Sequence, residues 1–484
     1  MGPKNIYMIG ICGVAMGTLA SMLHEQGHVV SGSDRDIYPP MSDLLRKSGM
    51  KLHNGFSAGQ VGSPDLVIVG NAISRGNPEV EHVLNRRIPY MSMAQALRDF
   101  FLAGKEVIAV AGTHGKSTTT ALLAHLLEST GMDPSFFVGG VSRNHDANYR
   151  LGSGRHFIIE GDEYDSAFFE KVPKFIFYRP SHLVITSLEF DHADIYRDLA
   201  EIELWFRRLV NIVPSEGCIV YSSDYPNLAD IVAKSHSRTL SYGGPGADVA
   251  YAFRGYSGTC SDLRIERPGG VLDLRSEQFG HFNYANITAA VAMAGVLGAD
   301  DAGIRRGVES FLGVKRRQEL VYRGNGTIVY DDFAHHPTAI SSVLSTMRER
   351  YPDARIWAVY EPRSATSRRN VFQDILPAAF RAADVILIKT PFEGSAVREG
   401  EKLDPDRLLR DIRAFNRDSH LFPETEDILE HIKMNLAPGK DNVIVIMSNG
   451  GFDGIYEKLR VMLEELYPDR SASACGPIGA ALNN

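Results

Sequence analysis

Gly112-Thr113-His114-Gly115-Lys116-Ser117-Thr118 sets two glycines, a lysine and hydroxyls between an apolar run at 107–111 and a stretch whose leucines cluster at helical spacing. A strand, a glycine loop and a helix N-terminus in that order make a phosphate cradle. Glycine lets backbone N–H groups approach an anion, and the free N–H groups of a first helical turn point at it. Lys116 would neutralise charge on β- and γ-phosphates, and Ser117 would offer a hydroxyl to Mg²⁺. The spacing departs from the common G-x-x-x-x-G-K-[ST], which wants glycine where this chain has Val110; the first glycine comes two residues later, at Gly112. An ordinary strand-to-helix turn with an exposed lysine could carry the same residues, yet strand and helix stand where a cradle requires them.

Carboxylates follow two further apolar runs. Phe157-Ile158-Ile159 leads into Glu160, Asp162, Glu163 and Asp165, and Leu183-Val184-Ile185 leads into Glu189, Asp191 and His192. One such cluster reads as solvated charge. Two, each ending a strand in the region of a phosphate loop, read as an oxygen-rich Mg²⁺ site. Asn283 and Asn286 open another helical stretch, three apart and so on one face; helix capping by Asn283 is the plain alternative. Near the N-terminus, Gly10-Ile11-Cys12-Gly13 is an imperfect dinucleotide fingerprint with Cys12 at its second glycine, and Asp34 ends the next strand, where such a site holds a ribose. This loop binds some phosphate-bearing ligand, not necessarily NAD, or serves packing alone. Gly70-Asn71-Ala72 follows a third strand and would face the same crevice. In the last third, Asp331-Asp332, His335-His336, Glu361, Arg363, Ser448 and Asn449 follow apolar runs. Arg363 could grip a carboxylate in bidentate fashion, or be an ordinary surface arginine.

Alternating strands and helices must position these groups. Strand-like runs at 6–9, 29–31 and 66–69, and again at 328–331, 356–360, 385–388 and 443–447, alternate with helical patterns. That alternation implies parallel sheets, whose ligands sit beyond the strand carboxyl ends. The expected class is α/β in three domains: a Rossmann-like domain at 1–103, a central P-loop ATPase-like domain at 104–314, a second Rossmann-like domain at 315–470, and a disordered tail at 471–484. Residues 313–317 look like a hinge, and 217–280 read as added structure without chemistry. The length of 484 residues exceeds one ordinary core. A net charge of −8 argues against a non-specific nucleic-acid binder. Cys12, Cys218, Cys260 and Cys475 form no C-x-x-C pair, so neither zinc nor a disulfide framework is indicated. With no signal-peptide pattern and no run of membrane-spanning length, a cytoplasmic protein is expected, without nucleic-acid or membrane partners, as a monomer or weak homodimer.

Taken in order, the N-terminal glycine loop, Gly112 to Thr118, Glu160 to Asp165, Asp191-His192, Asn283 to Asn286, Arg316-Arg317 and Asp331 to Pro337 resemble the motifs of the Mur ligases, which build the peptide of bacterial cell-wall precursors. The likeness covers nearly the whole chain. It implies domains for a UDP-sugar, for ATP and for an incoming amino acid or peptide, joined by ADP-forming amide ligation through an acyl phosphate. It further implies that Gly112, Thr113, Gly115, Lys116, Ser117, Thr118, Asn286, Arg317, Asp332 and His335 bind ATP. Ser117, Glu160 and His192 would hold Mg²⁺, and Lys116, His192 and Arg317 would be catalytic. Gly10, Cys12, Gly13, Ser33, Asp34, Asn71, Ala72 and His114 would bind the UDP-sugar. Because Arg317 and Asp332 lie beyond the hinge, the resemblance implies that the third domain swings onto the second.

Two positions depart from the family pattern. Phe282-Asn283 stands where the family often has His-Asn, with His281 displaced by one, and Arg207 stands where some members carry a carbamylated lysine. Within the family, Tyr38 to Ser42, Gly70 to Pro78, Glu361-Pro362-Arg363-Ser364 and Met447 to Phe452 resemble the member that joins the murein tripeptide L-alanyl-γ-D-glutamyl-meso-diaminopimelate to UDP-N-acetylmuramate in murein recycling. Glu361, Arg363, Ser448 and Asn449 would then meet the peptide. Addition of L-alanine alone, in de novo peptidoglycan synthesis, is the alternative. Two readings of other classes are an NAD-dependent oxidoreductase, opposed by the faulty fingerprint, and an inactive nucleotide-dependent regulator, opposed by intact Lys116, Glu160 and His192.

Overall fold

Apolar strand runs bounded by glycine turns, most followed by a helix, fold into three large sheets and one two-stranded ribbon, Asp165–Ala167 with Glu170–Pro173, in the computed structural model, which describes residues 2–37, 41–193, 195–391, 397–398, 400–436 and 441–467. Tyr38-Pro39-Pro40 and the tail from Ser471 lie outside the described residues. The chain divides into two compact units, Met1–Val314 and Lys315–Asn484. The first carries two of the large sheets and the ribbon.

The N-terminal sheet is five-stranded and parallel, in the spatial order Lys51–Asn54, Val29–Asp34, Asn5–Ile9, Leu66–Val69, Tyr90–Ser92. Its two outer strands are short, three and four residues, and half-exposed or partly polar, which hid them from hydropathy. The strand order reverses at Asn5–Ile9, so the loops after Ile9 and Val69 open onto one crevice.

The central sheet has ten strands. Its middle runs His182–Ile185, Glu106–Ala111, His156–Gly161, all parallel and fully apolar over most of their length, as strands covered on both faces must be. The helix Lys116–Ser129 packs on this sheet, and the helix His281–Val296 packs on it in turn. His281–Val296 is buried on almost every side, which explains its lack of an amphipathic stripe. At one edge Val249–Ser257, Cys260–Arg267 and Gly270–Ser276 form an antiparallel meander, the structure that 217–280 adds. A single hydrophobic cluster runs from Ile6 and Leu23 through Leu97 and Phe101 to Tyr178 and Phe206. The two sheets of the first unit therefore share a core.

The third sheet has six strands, in the order Glu319–Gly324, Thr327–Asp332, Asn442–Met447, Arg355–Tyr360, Val385–Lys389, Ser419–Phe422. The first pair is antiparallel and the rest are parallel. The carboxyl ends of four of these strands carry Asp332, Ser448, Glu361 and Lys389.

Candidate active site

The strand Glu106–Ala111 ends in the glycine loop, and the loop turns into Lys116–Ser129 with Gly115 as N-cap. Geometry fixes two glycines here. Gly112 has φ +139°, and a Cβ would stand 2.2 Å from Thr186 Oγ1 and 2.8 Å from the Ser187 nitrogen. Gly115 has φ +81°, and a Cβ would stand 2.4 Å from Asn286 Oδ1. The same Oδ1 accepts from Thr119 Oγ1 at 3.2 Å, so the helix His281–Val296 is held against the loop. On the other side, His114 N donates to Ser187 Oγ at 2.7 Å, Thr113 Oγ1 donates to the Glu189 carbonyl at 3.2 Å, and His114 Nε2 lies 2.7 Å from Glu189 Oε2. Asn283 does not cap its helix. Gly280 is the N-cap, and Asn283 sits inside the first turn, donating to the Phe279 carbonyl at 3.1 Å and facing Asn286 Nδ2 at 3.4 Å.

Lys116 is nearly buried, and its Nζ donates to the Gly112 carbonyl at 2.6 Å and to Glu163 Oε2 at 2.9 Å. Burial alone would lower the pKa of this ammonium; Glu163, Asp162 and Glu160 outweigh it and the pKa rises. Glu163 is the converse. Burial pushes its carboxyl up, but Lys116 and His192, whose Nε2 lies 3.3 Å from Oε1, bring it down to about 2. His192 gains by the same contact: burial opposes its charge, and Glu163 with Asp191 overcomes burial, so its pKa rises. Its backbone is in the left-handed region, φ +55°.

Glu160 feels Lys116 only through space. Ser117 Oγ donates to its Oε1 at 3.0 Å and Gly139 N to its Oε2 at 2.7 Å, but no cation lies within ion-pair distance among the described residues. Burial, aided by Asp162, raises its pKa. Asp162 has its own partner, Lys174, at 3.1 Å. A buried carboxylate beside a hydroxyl, lacking a bonded counter-charge at the mouth of a phosphate loop, fits a hard, oxygen-liganded divalent cation. Ser117 and Glu160 could hold such a cation, while His192, also expected at the metal, is turned to Glu163. Arg207 lies on the helix Leu199–Asn211, 46% exposed and paired with Glu203 at 3.0 Å.

In the N-terminal sheet, Gly10 N and Ile11 N donate to the Ser33 carbonyl at 2.8 and 3.0 Å. Cys12 N donates to Asp34 Oδ2 at 2.8 Å, so Asp34 holds the loop itself. The Ser33 hydroxyl donates to Glu79 Oε2. Glu79 is fully buried and also receives Tyr7 OH at 3.0 Å and Ser57 N at 3.1 Å. Gly13, Asn71 and Ala72 are exposed at the rim.

In the second unit, Arg316 is a strut. Its Nη2 donates to the carbonyls of Ser448 and Gly450, both at 2.7 Å, and its Nε to Asp331 Oδ2 at 3.3 Å. The neighbouring Arg317 lies over the Phe333 ring at 4.6 Å. Asp332 accepts from Gln318 N and Ala334 N, both at 2.8 Å, and burial raises its pKa against the pull of Arg317. His335 Nδ1 lies 3.1 Å from the Phe333 carbonyl, while His336 caps the helix Pro337–Arg350. Ser448 Oγ donates to the buried Glu361 Oε2 at 2.7 Å, and Arg363 Nη1 stands 3.6 Å from Glu361 Oε1. The expected peptide residues Glu361, Arg363 and Ser448 thus meet at adjacent strand ends, next to Asn449.

Sequence reasoning passed over four groups: Glu163 as the lysine's partner, Glu79 beneath the N-terminal loop, and Lys389 with Asp453 beside Glu361. Glu163 stood in a recognised acidic run, but nothing in a run says which acid faces inward. Lys389, a charged residue closing the apolar run 385–388, carried the one signal that could have found it.

A ten-stranded sheet with a glycine loop leading into a helix N-terminus, in a chain that carries two further, largely parallel sheets with charged strand ends, is the architecture of a nucleotide-dependent ligase, and this chain belongs to the Mur ligase family. Three family descriptions match it in order: Mur ligase family, catalytic domain, at 5–105; Mur ligase middle domain, at 110–294; and Mur ligase, glutamate ligase domain, at 316–450. The UDP-N-acetylmuramate–L-alanyl-γ-D-glutamyl-meso-2,6-diaminoheptandioate ligase of Escherichia coli K12 is 40% identical over 94% of this chain and 97% of its own. The UDP-N-acetylmuramate–L-alanine ligase of Agrobacterium fabrum is 33% identical over 92% of this chain and 94% of its own. The crystal structure of a murein peptide ligase from Psychrobacter arcticus superposes with a TM-score of 0.71 at 33% identity, covering 95% of this chain and 98% of that one. No helix among the described residues is long and apolar enough to cross a membrane.

Proposed function

We propose that this chain joins L-alanyl-γ-D-glutamyl-meso-diaminopimelate to UDP-N-acetylmuramate at the expense of ATP, which becomes ADP and phosphate. The observation that carries the ATP chemistry is the buried Lys116 at the glycine loop with the cation-free Glu160 on Ser117 beside it. The choice of donor is supported by the 40% identity to the ligase named for that tripeptide. On this reading residues 1–103 hold the UDP-sugar, 104–314 hold ATP, and 315–470 receive the peptide.

The lactoyl carboxylate attacks the γ-phosphorus and ADP departs, leaving an acyl phosphate. The alanyl amine of the tripeptide then attacks the acyl carbon, phosphate leaves with the acyl C–O bond, the nitrogen loses a proton, and an amide remains. The first step brings an anion onto a polyanion. Fixed positive charge must screen that approach. Lys116 supplies it from a site whose carboxylates favour its charged form, and the N–H groups at Gly115 to Ser117 supply partial charge without reorganising. Ser117 and Glu160, with His192, would hold Mg²⁺, which when bound supplies further screening of the phosphates. Glu163 keeps Lys116 oriented and charged before ATP arrives. The reaction belongs in the cytoplasm, where ATP and UDP-sugars are held.

The test is ADP release and product mass with ATP, UDP-N-acetylmuramate and tripeptide, each omitted in turn. All three should be required. A higher kcat/KM for L-alanine than for the tripeptide would overturn the donor assignment.

A further inference from the structure

The sheet of the second unit carries a cluster of metal-ligating side chains at the end away from Glu361 and Ser448. Asp418 stands immediately before the outer strand Ser419–Phe422, which pairs in parallel with Val385–Lys389. It therefore lies at the amino end of this sheet, whereas Glu361 and Ser448 follow the carboxyl ends of their strands. Asp418 and His420 are two residues apart, so they share one face of the extended chain. The helix Thr425–Asn435 runs back along the strand and brings His431 to His420, with 4.4 Å between ring centroids. His420 Nε2 stands 3.1 Å from Asp418 Oδ1, and one ligand atom from each of the three residues lies within 4.8 Å of the other two. Four-coordinate Zn²⁺, with bonds of about 2.0 to 2.1 Å, holds its ligand atoms about 3.3 Å from one another. The His420–Asp418 contact is already near that spacing, and a ring adjustment at His431 closes the triangle.

The surroundings hold the three groups in place. The His431 ring lies 5.4 Å from that of Phe422 and 6.5 Å from that of Trp357, and its nitrogens have no hydrogen-bond partner among the described residues. Asp418 is held from behind. Its Oδ2 accepts from Arg355 Nη2 at 2.6 Å; that guanidinium lies 4.6 Å over the Trp357 ring, and its Nη1 donates to the Asn435 carbonyl at 3.0 Å. Bonds of this kind orient a ligating carboxylate and leave its other oxygen for the metal. Burial, reinforced by His420 and Arg355, lowers the pKa of His431 against the pull of Asp418, which favours the neutral imidazole that a metal requires. Arg355 also selects the class of ion. Its charge offsets that of Asp418, so a hard cation held by Coulomb attraction gains little here. Two imidazole nitrogens suit a borderline metal such as Zn²⁺ rather than Mg²⁺ or Ca²⁺.

From this cluster we infer that Asp418, His420 and His431 form a site for Zn²⁺, bound through two imidazole nitrogens and one carboxylate oxygen with water in the fourth position. The ion takes the place of the hydrogen between His420 Nε2 and Asp418 Oδ1, and the His420 imidazole carries its one proton on Nδ1. The Asp418 and His420 side chains are 41% and 35% exposed, so the ion enters from solvent. The outer strand has only four residues and a partner strand on one side alone. Zn²⁺ would clamp it to the helix that follows, and so stabilise the second unit without touching the nucleotide loop. The inference holds for either amine donor.

The experiment titrates EDTA-treated, dialysed full-length protein, free of any polyhistidine tag and of nucleotide, with ZnCl₂ and separately with CoCl₂. The parent protein should bind one equivalent of Zn²⁺ more than His431→Gln or His420→Gln. With Co²⁺ the parent should develop the intense visible absorption of a four-coordinate ion, and both variants should lack it. Zn²⁺ should raise the melting temperature of the parent and not of the variants, since a ligand stabilises the fold that binds it. Metal-free melting and Mg-ATP-dependent ligation equal to those of the parent are the checks on folding, and the two variants lie on different elements, so one failing to fold leaves the other. Equal Zn²⁺ stoichiometry in the parent and a folded variant, or a Co²⁺ spectrum that the substitutions leave unchanged, overturns the inference.

Discussion

Replacing Lys116 with methionine should reveal the ion pair through stability rather than through lost turnover, which any reading of the loop expects. In the protein, burial pushes Glu163 up and Lys116 with His192 drives it down to about 2 from an ordinary 4.5. At about 1.4 kcal/mol per pH unit, that gap amounts to ~3 kcal/mol of folding stability, and Glu163 is 5% exposed, so solvent screening removes little of it. Because the folded pKa lies below the unfolded one, this stability is fully present above pH 4.5 and is lost as pH falls toward 2. Lys116→Met removes the dominant cation. For a unit of this size, with an unfolding entropy of about 2 cal/mol/K per residue, the deficit at pH 7 corresponds to a fall of about 4 to 5 °C in melting temperature. The nucleotide-free protein should be followed by circular dichroism, with the transition of the first unit tracked separately. Lys116→Met/Glu163→Gln should recover part of the loss, since a neutral pair costs less than a buried unpaired charge. Melting of Lys116→Met within a degree of the parent at pH 7, or a deficit that does not shrink between pH 5 and pH 3, would refute the argument.

Gly115→Ala, which puts a methyl group 2.4 Å from Asn286 Oδ1 at φ +81°, should lower ADP release by about a hundredfold through misplacement of the loop, with ATP affinity measured by calorimetry falling in parallel. Glu79→Ala leaves the Tyr7 hydroxyl, the Ser33 hydroxyl and the Ser57 N–H without their buried acceptor. It should destabilise the protein by at least about 2 kcal/mol and raise the KM for the UDP-sugar while that for ATP stays put. Arg363→Ala should raise the KM for tripeptide by about tenfold, and an unchanged KM would remove Arg363 from the peptide site.

The alternation of apolar runs and helical patterns was enough to read three α/β layers, because a strand covered on both faces must be apolar throughout. Strands without that burial stayed hidden: Lys51–Asn54 and Tyr90–Ser92 at the sheet edges and the antiparallel Glu319–Gly324. The strand–loop–helix turn at Gly112 to Lys116 was legible because glycine records backbone geometry in the sequence. Roles that depend on which way a side chain points were not legible. Asp34 accepts from Cys12 N and the Ser33 hydroxyl donates to Glu79, contacts that no spacing announced. Asn283 supports Asn286 instead of capping. Glu160 and Glu163 sit three residues apart in one acidic run, yet one meets a hydroxyl and the other a lysine. Their opposite pKa shifts follow from those neighbours. Lys389 and Asp453 are 64 residues apart and were invisible as a pair until the parallel sheet brought them to one end, with the strand Arg355–Tyr360 between theirs. Composition and spacing determine which backbone can form; the partner of a buried charge is chosen by strand order and register, which no local stretch of sequence contains.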